Sequence, residues 1–150
     1  MPRSVAQKRA AFRALHAQGC FVLPNPWDTG SARMLAALGF QALATTSSGY
    51  AWSHGRGDGQ MARDAVLAHL RELAAATDLP LNADFESGFA DDAVGVAQSV
   101  RMALDTGVAG LSIEDATGDA ANPIRDVGEA VPRVRAAGTA IGGAGRGSLL

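Results

Sequence analysis

The residues best suited to chemistry lie in Leu79-Pro80-Leu81-Asn82-Ala83-Asp84-Phe85-Glu86-Ser87-Gly88. Alternate side chains of an extended strand face opposite ways. Leu81, Ala83 and Phe85 therefore form an apolar back, and Asn82, Asp84 and Glu86 a polar front. Two carboxylates in contact repel by roughly 4 kcal/mol at an effective dielectric of 20. Such a pair calls for a shared proton or a cation beside it. Oxygen donors of this kind select a hard divalent ion, Mg2+ or Mn2+. In the plainer alternative Glu86 turns to solvent at the strand end, and these residues alone leave both readings open.

Other polar groups recur at comparable places. Ser112 and Glu114 share one face of Val108–Asp115, so a third acid arrives at a strand end. Thr46-Ser47-Ser48 follow the apolar run 40–46 and offer hydroxyls and free N–H groups to a carboxylate or phosphate oxygen. A simple polar turn is the alternative there. Asp58 lies in the flexible loop 54–59, where His54 reads as an ordinary loop residue. Trp27 follows the first apolar run, and Asp28 reads as a helix N-cap.

The elements that must position these groups follow from periodicity. Helical spacing predicts helices over 4–18, 31–38, 61–77, 91–106 and 126–137, with Pro132 an awkward interior residue in the last. Strands are expected at 20–23, 40–46, 79–86 and 108–115. Strand, loop and helix alternate at intervals of roughly 30–35 residues, which implies a parallel sheet. In such sheets ligands sit at the carboxyl ends of the strands, where Trp27, the Thr-Ser-Ser segment, Asp84, Glu86 and Glu114 all fall. Residues 138–150 hold five glycines and no convincing strand, and are expected to form a disordered tail after a partial barrel over 1–137.

Composition narrows the class. At 150 residues, 47% hydrophobic and 19% charged, the chain suits one globular domain. A net charge of −2 gives no electrostatic reason to expect nucleic acid or an anionic membrane. The single cysteine, Cys20, excludes an internal disulfide framework. No apolar run is long enough to span a bilayer, no signal-peptide core opens the chain, and a cytoplasmic location is the default expectation.

Four segments carry a family resemblance: Pro26-Trp27-Asp28-Thr29-Gly30-Ser31-Ala32, Thr-Ser-Ser-Gly through Gly57-Asp58-Gly59, Asp84-Phe85-Glu86-Ser87-Gly88-Phe89, and Ser112-Ile113-Glu114-Asp115. In that order and spacing the chain resembles the isocitrate lyase/phosphoenolpyruvate mutase superfamily, nearest its phosphonomutase-like branch. The resemblance implies a (β/α)8 barrel, here its N-terminal half with about four parallel strands and an extra N-terminal helix. It also implies Mg2+ (or Mn2+), a small carboxylate or phosphonate substrate, and homo-oligomers. The chemistry implied is C–C or P–C cleavage of an α-oxocarboxylate through an enolate. By the same similarity Asp84 is the direct metal ligand, and Asp58, Glu86 and Glu114 hold the ion's waters. Trp27, Thr46, Ser47, Ser48 and Asp84 would meet the substrate.

Two departures qualify this. The superfamily's lyases carry Lys-Cys-Gly-His after the fourth strand, whereas the loop Asp115–Asn122 has no lysine, cysteine or histidine. Cysteine-based isocitrate or methylisocitrate cleavage is disfavoured, and hydrolase or decarboxylase chemistry on oxaloacetate-like acids stays open. A barrel of this type takes about 250 residues, so a truncated or frameshifted product is expected. The alternative to an enzyme is a non-catalytic remnant that at most binds Mg2+ or a small anion.

Overall fold

The computed structural model describes residues 2–143 and 147–150. Helix α1 (Val5–His16) is followed by α2 (Thr29–Ala37), β1 (Leu43–Ala44), α3 (Ser47–Ser53), α4 (Arg63–Ala76), β2 (Leu81–Asp84), α5 (Ala93–Leu104), β3 (Gly110–Ser112) and α6 (Val127–Gly143). The three strands form one parallel sheet in the order β1-β2-β3, with Leu43 opposite Leu81 and Asp84 opposite Ser112. Among the described residues this is an open α/β sheet with three strands where about four were expected.

The strand expected at 20–23 does not form. Pro24 and Pro26 lack the N–H a ladder needs, so β1 gains one backbone bond on this side, from Ala44 N–H to the Pro24 carbonyl. The Asn25 amide completes the edge by donating to the Ala44 and Thr45 carbonyls. Ser47–Tyr50, expected as a turn, begins the short helix α3, because the Thr46 hydroxyl accepts the Gly49 N–H and so caps it. The segment expected as a tail holds regular structure on either side of 144–146. Helix α6 runs through Gly138 to Gly143, and Leu149 pairs in parallel with Gly110 at the β3 edge; residues 144–146 of that tail lie outside the described residues. Burial of Ala137, Ala140 and Ile141 outweighs the helix penalty of about 1 kcal/mol per glycine. The same burial tolerates Pro132, while the Asp126 carboxylate caps the helix start by accepting the Glu129 N–H.

Alternation on β2 has the expected sense, with Leu81 and Ala83 buried and Asn82 and Asp84 half-buried. The apolar back packs with Leu43 and Leu111 against Leu67, Leu70 and Leu73 of α4 and Val96, Val100 and Leu104 of α5. A second cluster joins Phe12 of α1 to Ala42, Ala109, Phe21 and Leu23. Phe12 lies so close to Gly110 that any side chain there would collide with the ring.

Two buried cations tie α1 to the helix ends. Lys8 Nζ donates to the carbonyls of Ala74 and Thr77 at the end of α4, at 2.7 and 2.6 Å. Arg9 donates to those of Leu104 and Val108 at the end of α5, at 2.8 and 3.0 Å. Carbonyls at a helix C-terminus have no intrahelical partner and carry the negative end of its dipole, so a cation is favoured there. Among the described residues no helix is long and apolar enough to cross a membrane.

His69 of α4 stacks on Tyr50 of α3, with ring centroids 3.8 Å apart and planes 14° from parallel. Burial pushes its pKa down to about 4, the charge of a protonated His54 adding to the effect and that of Asp28 opposing it. The unfolded chain binds this proton near pH 6.5 and the folded chain only near 4. The neutral ring is therefore compatible with full stability above pH 6.5, and stability is lost as pH falls through that window. Linkage sets the loss at about 2–3 kcal/mol by pH 4.5. His69→Phe keeps the stack without the proton. Urea unfolding at pH 7 and 4.5 should show a smaller loss for this variant than for the wild type; equal losses would contradict the assignment.

Candidate functional site

The polar groups are gathered at the carboxyl ends of the three strands. A cavity of about 320 Å³ there is lined by Ser47, Asp58, Glu86, Ser87, Glu114 and Thr117, among others. Each acid arrives from a different connection. Asp58 comes from the α3–α4 loop, Glu86 from the turn after β2, and Glu114 from the segment after β3. Asp84, the last residue of β2, is oriented from both sides. Its Oδ2 accepts the Ser47 N–H at 2.7 Å, and its own N–H donates to the Thr45 hydroxyl at 2.9 Å.

The strand stops two residues earlier than expected, at Asp84, so Glu86 reaches the cavity by a bend instead of by simple alternation. Its φ of +46° lies in the left-handed region, which costs a non-glycine residue about 1–3 kcal/mol. Its carbonyl accepts the Glu114 N–H at 2.8 Å, so the two acidic segments are tied through the backbone. Its N–H points at Asp84 Oδ1, 3.4 Å away.

Electrostatics follow from this crowding. Burial, then the charges of Asp84, Asp58 and Glu114, push the Glu86 carboxyl up to about 7. Glu114 is raised by burial and by Asp84, Asp58 and Asp115. The neighbouring charges that raise the two glutamates are themselves carboxylates. No group of three or more His, Cys, Asp or Glu side chains among the described residues is arranged to hold a metal ion together. The donors fit a hard cation that takes one carboxylate directly and meets the others through water. They do not fit an all-carboxylate cage.

The remaining expected residues are divided. Ser47 lines the cavity. Thr46 and Ser48 turn their hydroxyls toward each other at 3.1 Å, and Thr46 is also occupied as the α3 cap. Trp27 is not part of the cavity lining; it lies over Gly49 and meets Trp52 edge to face at 5.9 Å. Asp28 caps α2 by accepting the Ser31 N–H at 2.7 Å. Thr45, Ser87 and Thr117 also belong to the site, beyond the residues expected from the sequence. Ser87 directly follows Glu86, which was a usable signal. The roles of Thr45 and Thr117 depend on contacts across the sheet and within a loop that no local pattern reveals.

The phosphoenolpyruvate phosphomutase family profile matches residues 12–147. The uncharacterized protein Rv1998c of Mycobacterium tuberculosis (strain ATCC 25618 / H37Rv) is 38% identical over 110 residues, covering 73% of this chain and 42% of its own length. A protein of Burkholderia cenocepacia J2315, provisionally named a lyase/mutase, superposes with a TM-score of 0.88 at 51% identity, over 91% of this chain and 50% of its own. The 2,3-dimethylmalate lyase of the PEP mutase/isocitrate lyase superfamily gives 0.81 at 28% identity, over 97% and 51%. The chain thus spans about half the length of these relatives.

The raised Glu86 carboxyl has a measurable consequence in metal-free protein. The unfolded chain releases this proton near pH 4.5 and the folded chain near 7, so stability falls as pH rises between them. Glu86→Gln removes that penalty. It should raise stability at pH 8 by on the order of 1–3 kcal/mol and change it little at pH 4.5. Thermal melts at both pH values check this, and a lower midpoint for the variant at pH 8 would refute it.

Proposed function

This chain belongs to the phosphoenolpyruvate mutase/isocitrate lyase superfamily, and from that premise we propose that it carries the cation-binding half of an active site for α-oxocarboxylates. In this reading the sheet is the N-terminal half of a (β/α)8 barrel, and the reaction breaks a C–C or P–C bond through an enolate. The supporting observation is the convergence of Asp58, Glu86 and Glu114 on one cavity beside Asp84, where neighbouring carboxylates raise both glutamates.

A phosphonopyruvate hydrolase of similar fold has been solved in complex with oxalate and Mg2+. Here Asp84 would hold the ion directly, and Asp58, Glu86 and Glu114 would hold its waters. Bound there, a divalent cation supplies Lewis-acid stabilisation of the negative charge that develops on an enolate. The protein's own part is orientation. The Ser47 N–H and Thr45 hydroxyl keep Asp84 aimed at the rim. The Glu114–Glu86 backbone bond keeps the two glutamates on one wall. Ser47, Thr46 and Ser48 would receive the carboxylate or phosphonate end of a small substrate, with Trp27 beside them.

A second reading is favoured by one observation, that the chain spans about half of its relatives' length. In it the chain binds Mg2+ or a small carboxylate without turning it over. Calorimetry and turnover assays separate the claims. Mg2+ should bind the chain, Asp84→Ala should weaken it about tenfold or more, and Asp28→Ala should leave it unchanged. Equal affinities for the two variants would reject the ligand assignment. Oxaloacetate, phosphonopyruvate and methylisocitrate with Mg2+ should give little or no turnover by the 150-residue chain; robust turnover of any would reject the second reading.

A further inference from the structure

Arg133 of α6 is 4% exposed, and its hydrogen bonds go to backbone carbonyls. Nη1 donates to Asp91 at 2.8 Å, and Nη2 to Ser87 at 2.7 Å and Ala90 at 2.8 Å. All three carbonyls belong to the segment joining β2 to α5. That segment contains three left-handed residues, Glu86 (φ +46°), Gly88 (φ +86°) and Phe89 (φ +53°). Two of them are not glycine, and backbone of this kind persists only where its surroundings over-determine it. A planar guanidinium with five donors in a fixed fork is suited to that task, because it holds several carbonyls at set angles.

The segment bears directly on the cavity. Glu86 and Ser87 line it, and the Glu86 carbonyl receives the Glu114 N–H. Moving the segment would therefore displace two acids together. We propose that Arg133 is a positioning residue for the acidic site, pinning the β2–α5 turn so that Glu86, Ser87 and, through the Glu86 carbonyl, Glu114 face one cavity. This rests on the reading of that cavity as a divalent-cation site. Arg9 supplies the matched comparison. It is equally buried and also bonded to carbonyls, those of Leu104 and Val108, but at the opposite end of the sheet.

The test compares Arg133→Met, Arg133→Lys and Arg9→Met in the full chain by two readouts. The first is amide hydrogen exchange of Gly88 and Glu114, whose N–H groups bond to Phe85 and Glu86. The second is calorimetric affinity for Mn2+ alone. Arg133→Met should speed both amides and weaken Mn2+ by about tenfold or more, with Arg133→Lys intermediate. Arg9→Met should lower the melting temperature while moving neither readout beyond its global effect. Unchanged exchange at Glu114 in Arg133→Met, or a Mn2+ loss no larger than in Arg9→Met, would overturn the proposal. Should Arg133→Met fail to fold, Arg133→Lys decides: intermediate values support the role and wild-type values overturn it. If the wild type binds no Mn2+, the cation-site reading fails, while exchange still tests the pinning by Arg133.

Discussion

Repulsion among carboxylates brought to one rim is the constraint that the rest of the structure has to satisfy. Glu86 and Glu114 are both raised by burial and by neighbouring acids. Nothing in that arrangement is self-stabilising, so the positions are imposed by backbone. The Ser47 amide holds Asp84, the Glu86 carbonyl holds the Glu114 amide, and a turn with left-handed residues carries Glu86. The free energy for this comes from the apolar side of the same strands. Leu81, Ala83, Phe85 and Leu111 are almost wholly buried against α4 and α5. Burial of each leucine or phenylalanine among them contributes about 1.5–3 kcal/mol.

Charge is distributed along the sheet in the sense that helix dipoles favour. In a parallel sheet with crossover helices, strands and helices run in opposite directions, so helix C-termini lie under the strand N-termini. Lys8 and Arg9 occupy that lower end and bond to the last carbonyls of α4 and α5. The acids occupy the upper end, where helix N-termini favour negative charge. The acids of the cavity are thereby kept at the opposite end of the sheet from Lys8 and Arg9.

The sheet manages its two sides by different means. At β1 the proline-flanked segment gives a single backbone bond and an asparagine side chain takes over the edge. At β3 Leu149 exchanges two backbone bonds, its N–H with the Ala109 carbonyl and its carbonyl with the Leu111 N–H. Both devices limit exposed ladder groups, which otherwise invite further strand pairing. The result is an open sheet that matches part of the superfamily fold at a TM-score of 0.88.

Much of this was legible in the sequence, for identifiable reasons. Period-3.6 spacing located α1, α2, α4 and α5 within a few residues, and period-2 spacing gave the two faces of β2. The cap at Asp28 was visible because one side chain near one helix start is a local matter. The acids at 58, 84, 86 and 114 were singled out by type and place alone. What local pattern could not supply was anything decided by contacts far apart in the chain. Prolines at 24 and 26 removed a strand that hydropathy favoured, and packing against α5 carried α6 through a proline and four glycines. The bend that delivers Glu86 and the guanidinium beneath it arise from residues more than forty positions apart. Sequence by itself determined which groups carry charge and which face of each element is apolar, because both are set within a few residues. Only the tertiary structure decided that those charges share one cavity, because that depends on which backbone amides and carbonyls are left over when distant segments pack.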